Sequence, residues 1–111
     1  MSKDSHVPDE RDYMYEFAEG IRLRARFLHS RGFITKFLIQ LEKRLEDDWQ
    51  PVIRYDNAHG QPHMDILDRN GRQISKQWLY QANNEALTAA LNDIKAHWRE
   101  YIERYMKDDW R

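Results

Sequence analysis

Residues 33–45 read FITKFLIQLEKRL, and the fold turns on whether they form a strand or a helix. Phe33, Thr35, Phe37, Ile39, Leu41 and Leu45 fall on one face, with Lys36, Gln40, Glu42 and Arg44 on the other. The segment LIQLEKRLE also fits a spacing of three to four. The period-2 alternation is the longer of the two patterns, and EDDW after it has the composition of a tight turn, so a strand is predicted. Just upstream, IRLRARFL alternates Ile21, Leu23, Ala25 and Phe27 with Arg22, Arg24 and Arg26, a half-buried strand, and SRG joins the two as a turn. Downstream, QPVIRYDN and HMDILD are strands around a turn at AHGQP. Asn70-Gly71 is a strong hairpin signal, and QISKQWL returns as the last strand.

At Asn83 the period changes. Leu87, Ala90, Leu91, Ile94, Trp98, Tyr101, Ile102 and Tyr105 make one apolar stripe at 3.6-residue spacing, which predicts a helix to about Lys107. Asn83 or Asn84 is its expected N-cap, Glu85 suits the helix dipole, and Glu100–Arg104 and Glu103–Lys107 are favourable i,i+4 pairs. The expected fold is α+β: an antiparallel β-meander of five or six strands with one long C-terminal helix packed on one face. Residues 1–11 carry few apolar side chains and read as a flexible leader, leaving 12–111 as a single domain.

With 111 residues the chain has material for one modest core. Eighteen Lys and Arg oppose 19 Asp and Glu, for a net charge of −1, so any nucleic-acid site has to be a local patch. There is no cysteine, which excludes disulfides, thiolate metal sites and a cysteine nucleophile. No apolar run is long enough to cross a membrane and no signal core stands at the N-terminus, so a cytoplasmic location is expected.

The chemistry concentrates in RYDNAHGQPHMD, residues 54–65. If Ile53, Tyr55, Met64 and Ile66 face the helix, strand alternation sends Arg54, Asp56, His63 and Asp65 to the open face, with His59 on the connecting turn. His59 and His63 are candidates for an acid–base pair, Arg54 for phosphate charge, and Asp56 and Asp65 for orienting the imidazoles. Tyr55, Asn57, Arg22, Arg24 and Arg26 are candidate substrate contacts. No metal or cofactor is expected, although His59, His63 and Asp65 offer nitrogen and oxygen ligands at a weakly specific spacing. The bland alternatives are a polar turn in which His63 pairs with Asp65, and an ordinary charge ladder between the arginine row and Gln40 and Glu42 on the next strand. His97 reads as a boundary packing residue, and His6 carries no expected role.

Arg54, Tyr55, Asp56, Asn57, Ala58 and His59, followed by Pro62, His63 and Asp65, resemble a RYD-x-AHG-x-x-H-x-D core. With the hairpin before it and the helix after it, this is similar to the TumE-like toxins of bacterial toxin–antitoxin systems, over roughly residues 20 to 105. Those proteins carry a denser histidine run after the RYDN element than the single histidines at 59 and 63. The resemblance implies a small cytoplasmic toxin-like protein that acts on RNA and is restrained by an antitoxin. The acid–base groups above imply metal-free cleavage. The competing expectation is a non-enzymatic interaction module whose open sheet face binds a partner protein or forms a homodimer.

Overall fold

The computed structural model describes residues 7–107. Six strands follow one another as a meander: β1 (Asp9–Ala18), β2 (Ile21–Ser30), β3 (Phe33–Leu45), β4 (Asp48–Asp56), β5 (His63–Leu67) and β6 (Gln73–Trp78). They form one antiparallel sheet in chain order, and α1 (Asn83–Lys107) follows β6. The expected α+β meander with a single C-terminal helix is the observed fold. Residues 33–45 are strand throughout, because both neighbouring strands take up their backbone groups in register, Leu23 opposite Leu41 and Ile39 opposite Tyr55.

The turns follow from local chemistry. Arg31 and Gly32 both have positive φ (55° and 86°), the two-residue turn whose twist matches a hairpin. At Asn70-Gly71 only Gly71 is left-handed (81°), and Asp68 Oδ1 accepts from the N–H groups of Asn70 and Arg72 at 2.8 and 2.9 Å. That loop is a type I turn closed by a left-handed glycine, and its backbone bonds hold the Asp68 carboxyl below its usual range.

The helix buries Ala86, Leu87, Ala90, Ile94, Ile102 and Tyr105 against Leu23, Ala25, Phe37, Ile39, Leu41, Ile53, Tyr55 and Met64. Each such leucine or isoleucine contributes about 1.5–3 kcal/mol relative to exposure. A bulge in the β3–β4 pairing at Leu41/Glu42 lets Val52 and Ile53, consecutive residues, both be buried. Phe17 of β1 stacks on Trp98 with ring centroids 5.2 Å apart, extending the core towards the sheet edge.

Two local expectations change. β1 begins at Asp9, so residues 9–11 belong to the sheet. Asp9 pairs with His29, and Glu10 Oε2 accepts from Arg26 Nε at 2.9 Å. Residues 1–6, including His6, lie outside the described residues. The asparagines at the helix start do not cap it. Asn84 accepts from the Ile34 N–H at 2.8 Å and donates to the Gly32 carbonyl, while Asn83 donates to the Ile34 carbonyl, tying the helix to the β2–β3 turn. Glu85 instead reaches back to the Ala82 N–H at 3.2 Å, half of a capping box.

The end of β4 is held by Asn57, which is buried and bridges to β3. Its Oδ1 accepts from the Phe37 N–H at 3.0 Å and its Nδ2 donates to the Thr35 carbonyl at 3.1 Å. Asn57→Ala leaves both backbone groups without their partner and should cost about 1–3 kcal/mol. Urea unfolding checks this: the midpoint should fall with the slope unchanged.

Candidate functional site

Strand register assembles the site. Arg54 stands opposite Asp65 and Asp56 opposite His63 across β4 and β5. Asp65 in turn stands opposite Lys76 and His63 opposite Trp78 across β5 and β6. All six side chains lie on the face away from the helix, as alternation predicts for the four in β4 and β5.

That face is not open to water at this point. The side chains of His63 and Asp65 are 3% and 9% exposed, against 13% for Asp56. The edge of Trp78 packs on the His63 ring at a centroid distance of 5.2 Å, and Lys76 Nζ lies 3.0 Å from Asp65 Oδ1. His63 Nδ1 is 3.0 Å from the Gln61 carbonyl. A carbonyl only accepts, so Nδ1 carries a hydrogen. Nε2 faces Asp56 Oδ1 at 3.1 Å and Asp65 Oδ2 at 3.7 Å, and Asp56 Oδ1 also accepts from the Ala58 N–H at 2.9 Å.

His59, the other expected half of an acid–base pair, is elsewhere in chemical terms. It sits exposed in the 3-10 turn Ala58–Gly60 with φ of 69°, and it makes no hydrogen bond or ion pair among the described residues. Tyr55, expected to touch substrate, points the other way. It is buried under the helix, with its hydroxyl donating to Asp93 Oδ2 at 2.6 Å. Asn57 lines the groove described next, but its amide is engaged by β3.

The arginine row divides. Arg22 donates Nε to Glu42 Oε1 at 2.6 Å and stacks 3.9 Å above Trp49. Arg24 and Arg26 find carboxylates on β1, Asp12 at 3.8 Å and Glu10 at 2.9 Å, rather than on β3. The charge ladder is therefore real, and its acids come from both neighbours. Glu42 also accepts from Gln40 Nε2 at 2.5 Å, and Gln40 Oε1 accepts from Arg54 Nε at 2.8 Å. Arg54 thus ends a relay on a neutral amide. Neither it nor Lys36 has a carboxylate within ion-pair distance among the described residues. Both line a groove of about 610 Å³ on this face, with Arg24 and Arg26 on its side, Leu28 and Leu38 along it, and Asp56 at its end.

A second polar cluster escaped sequence reasoning. Asp93 Oδ2 accepts from both Tyr55 and Tyr101 at 2.6 Å, and Asp93 Oδ1 lies 2.9 Å from His97 Nδ1. The signal was the spacing of Asp93, His97 and Tyr101, four residues apart on one helical row. His97 is thus an ion-pair residue more than a packing one, and Asp93 raises its pKa from the ordinary value. Burial, and then the bond to Asp93, push both phenols above the ordinary value.

The fold and site define an α+β protein whose helix-free sheet face carries a sunken Asp–His–Asp cluster beside a cation-lined groove. The chain belongs to the family described as domain of unknown function DUF7718, whose model matches residues 4–110. Among curated proteins and solved structures, nothing matches it. No helix among the described residues is long and apolar enough to cross a membrane.

The raised phenols set an alkaline limit. In the unfolded chain they ionise near pH 10, whereas in the folded protein they hold their protons higher. Their stabilisation is complete below about pH 10 and is lost as pH rises beyond it, because the unfolded state then binds fewer protons. Absorbance at 295 nm should show Tyr55 and Tyr101 titrating last, together with alkaline unfolding. Asp93→Asn should bring both tyrosines closer to the ordinary value.

Proposed function

We propose that the groove on the helix-free face binds the phosphate backbone of single-stranded RNA, and that the chain is a toxin-like component that cleaves it. The observation that carries this reading is the pair of cations, Arg54 and Lys36, without carboxylate partners in a groove whose end is Asp56. A cation already matched by a carboxylate has little left for a phosphate, whereas one held by an amide keeps its charge. Leu28 and Leu38 offer an apolar surface beneath sugars and bases.

In this reading the roles shift from the expected histidine pair. His63 is too deeply buried to touch RNA. It lies behind Asp56, with Nε2 3.1 Å from Oδ1. Asp56 presents the base: the 2′-oxygen attacks phosphorus as its proton passes to the carboxylate, the P–O5′ bond breaks, and the departing oxygen takes a proton from water. Arg54 offsets the charge growing on the phosphoryl oxygens. An antitoxin that covers the groove would restrain the activity.

Fluorescence anisotropy with a short labelled RNA tests the binding. Arg54→Ala should weaken it uniformly across sequences and shrink the salt slope by a little under one unit. Asp56→Asn should slow cleavage by about 10² to 10⁴ while RNA stays bound. RNA that binds Arg54→Ala as well as it binds the parent protein overturns the reading.

One observation favours self-association as the second reading. β1 is a ten-residue edge strand exposing Tyr13, Met14 and Tyr15. An exposed edge with apolar side chains is a template for pairing with another copy. Light scattering should then give a dimer for the full chain and a monomer for Met14→Pro.

A further inference from the structure

Three side chains that can each offer a ligand atom, Asp56, His63 and Asp65, converge inside the sheet face. Because Nδ1 of His63 carries the hydrogen donated to Gln61, a neutral ring presents a bare lone pair at Nε2. That lone pair points at two carboxylates, Asp56 at 3.1 Å and Asp65 at 3.7 Å, and the three ligand atoms lie within 4.8 Å of one another. Burial leaves little water to soften the repulsion. Lys76 Nζ approaches Oδ1 of Asp65 at 3.0 Å as an ion pair, but without hydrogen-bond alignment, so that buried oxygen accepts no hydrogen bond among the described residues.

We propose that Asp56, His63 and Asp65 form a binding site for a divalent transition-metal ion such as Zn²⁺ or Mn²⁺. One imidazole nitrogen and two carboxylate oxygens are the donor set such ions take. Ligands about 2.0–2.2 Å from a metal stand roughly 3–4 Å apart, and the two spacings around Nε2 fall in that range. The carbonyl on Nδ1 is the outer partner that orients a metal-bound histidine. Asp56 and His63 are cross-strand partners and Asp65 lies two residues along β5, so the ligands sit on paired strands rather than on a loop.

Two carboxylates offset by Lys76 leave one negative charge for the ion to meet. Trp78 closes one side of the site, and Asp56 opens onto the groove, where the remaining coordination positions would take water or a phosphate oxygen. The competing occupant is a second proton on His63, bridging the carboxylates as an imidazolium.

The test is calorimetric titration of the EDTA-treated full chain with ZnCl₂ and MnCl₂, and visible absorption with CoCl₂, all without RNA. The expected result is one equivalent bound, a raised Tm and cobalt d–d bands. Asp56→Asn and Asp65→Asn should each weaken binding at least tenfold. His63→Ala risks unfolding, so the isosteric Asp56→Asn change, with circular dichroism matching the parent, is the decisive variant. Absence of one-equivalent binding overturns the proposal, as does affinity unchanged in folded Asp56→Asn. An Nε2-bound proton on His63, seen by nitrogen NMR with metal present, also overturns it. RNA binding measured in EDTA reads the groove alone, so failure of the metal site and failure of the RNA reading are separable.

Discussion

One helix can dry one face of a sheet, and the rest of this structure follows from that constraint. The 25-residue α1 is about 37 Å long and lies on β3 and β4. Leu87, Ala90, Ile94 and Ile102 meet Ile39, Leu41 and Ile53 there, and the apolar area removed from water supplies the main driving force for folding. Among the described residues no second element covers the other face. That face has to satisfy its own polar groups, side chain to side chain across the strands.

It does so unevenly, and the unevenness creates the sites. At the β2 end, Arg22 is matched by Glu42 and roofed by Trp49. Two strands on, Arg54 meets only the oxygen of Gln40, whose amide hydrogens are drawn to Glu42. Residues of one type on one face therefore differ in what charge they have left to offer. A half-buried cation matched by a carboxylate has its charge offset within the fold, while one held by an amide keeps it. The same logic runs in reverse at β5, where two carboxylates and an imidazole lone pair crowd together with Lys76 alone approaching from the edge strand.

Trp78 decides how that crowd behaves. Edge strands of a sheet normally leave their neighbours wet. Here the indole of the last strand residue lies against His63 and seals it, turning a surface triad into a sunken one. Asp56, at the other side, keeps contact with the groove. One carboxylate thus belongs both to the groove and to the buried cluster, with His63 and Asp65 behind it.

Much of this was legible in the residues. Period-2 alternation in residues 21–28 and 33–45, the Asn-Gly turn and the stripe from Leu87 to Tyr105 determined the meander, the helix and which side chains share a face, because backbone geometry ties face to spacing. Arg54, Asp56, His63 and Asp65 were placed together for the same reason. Tertiary structure alone decided that His59 stands apart from His63 rather than pairing with it, since the path of the short turn sets that distance. It also decided that Arg24 and Arg26 would find their acids on β1, that Trp78 would bury the cluster, and that Tyr55 would meet Asp93 thirty-eight positions away. Spacing along the chain governs direction, but distance between side chains depends on register and on which strand lies alongside. No local pattern encodes that.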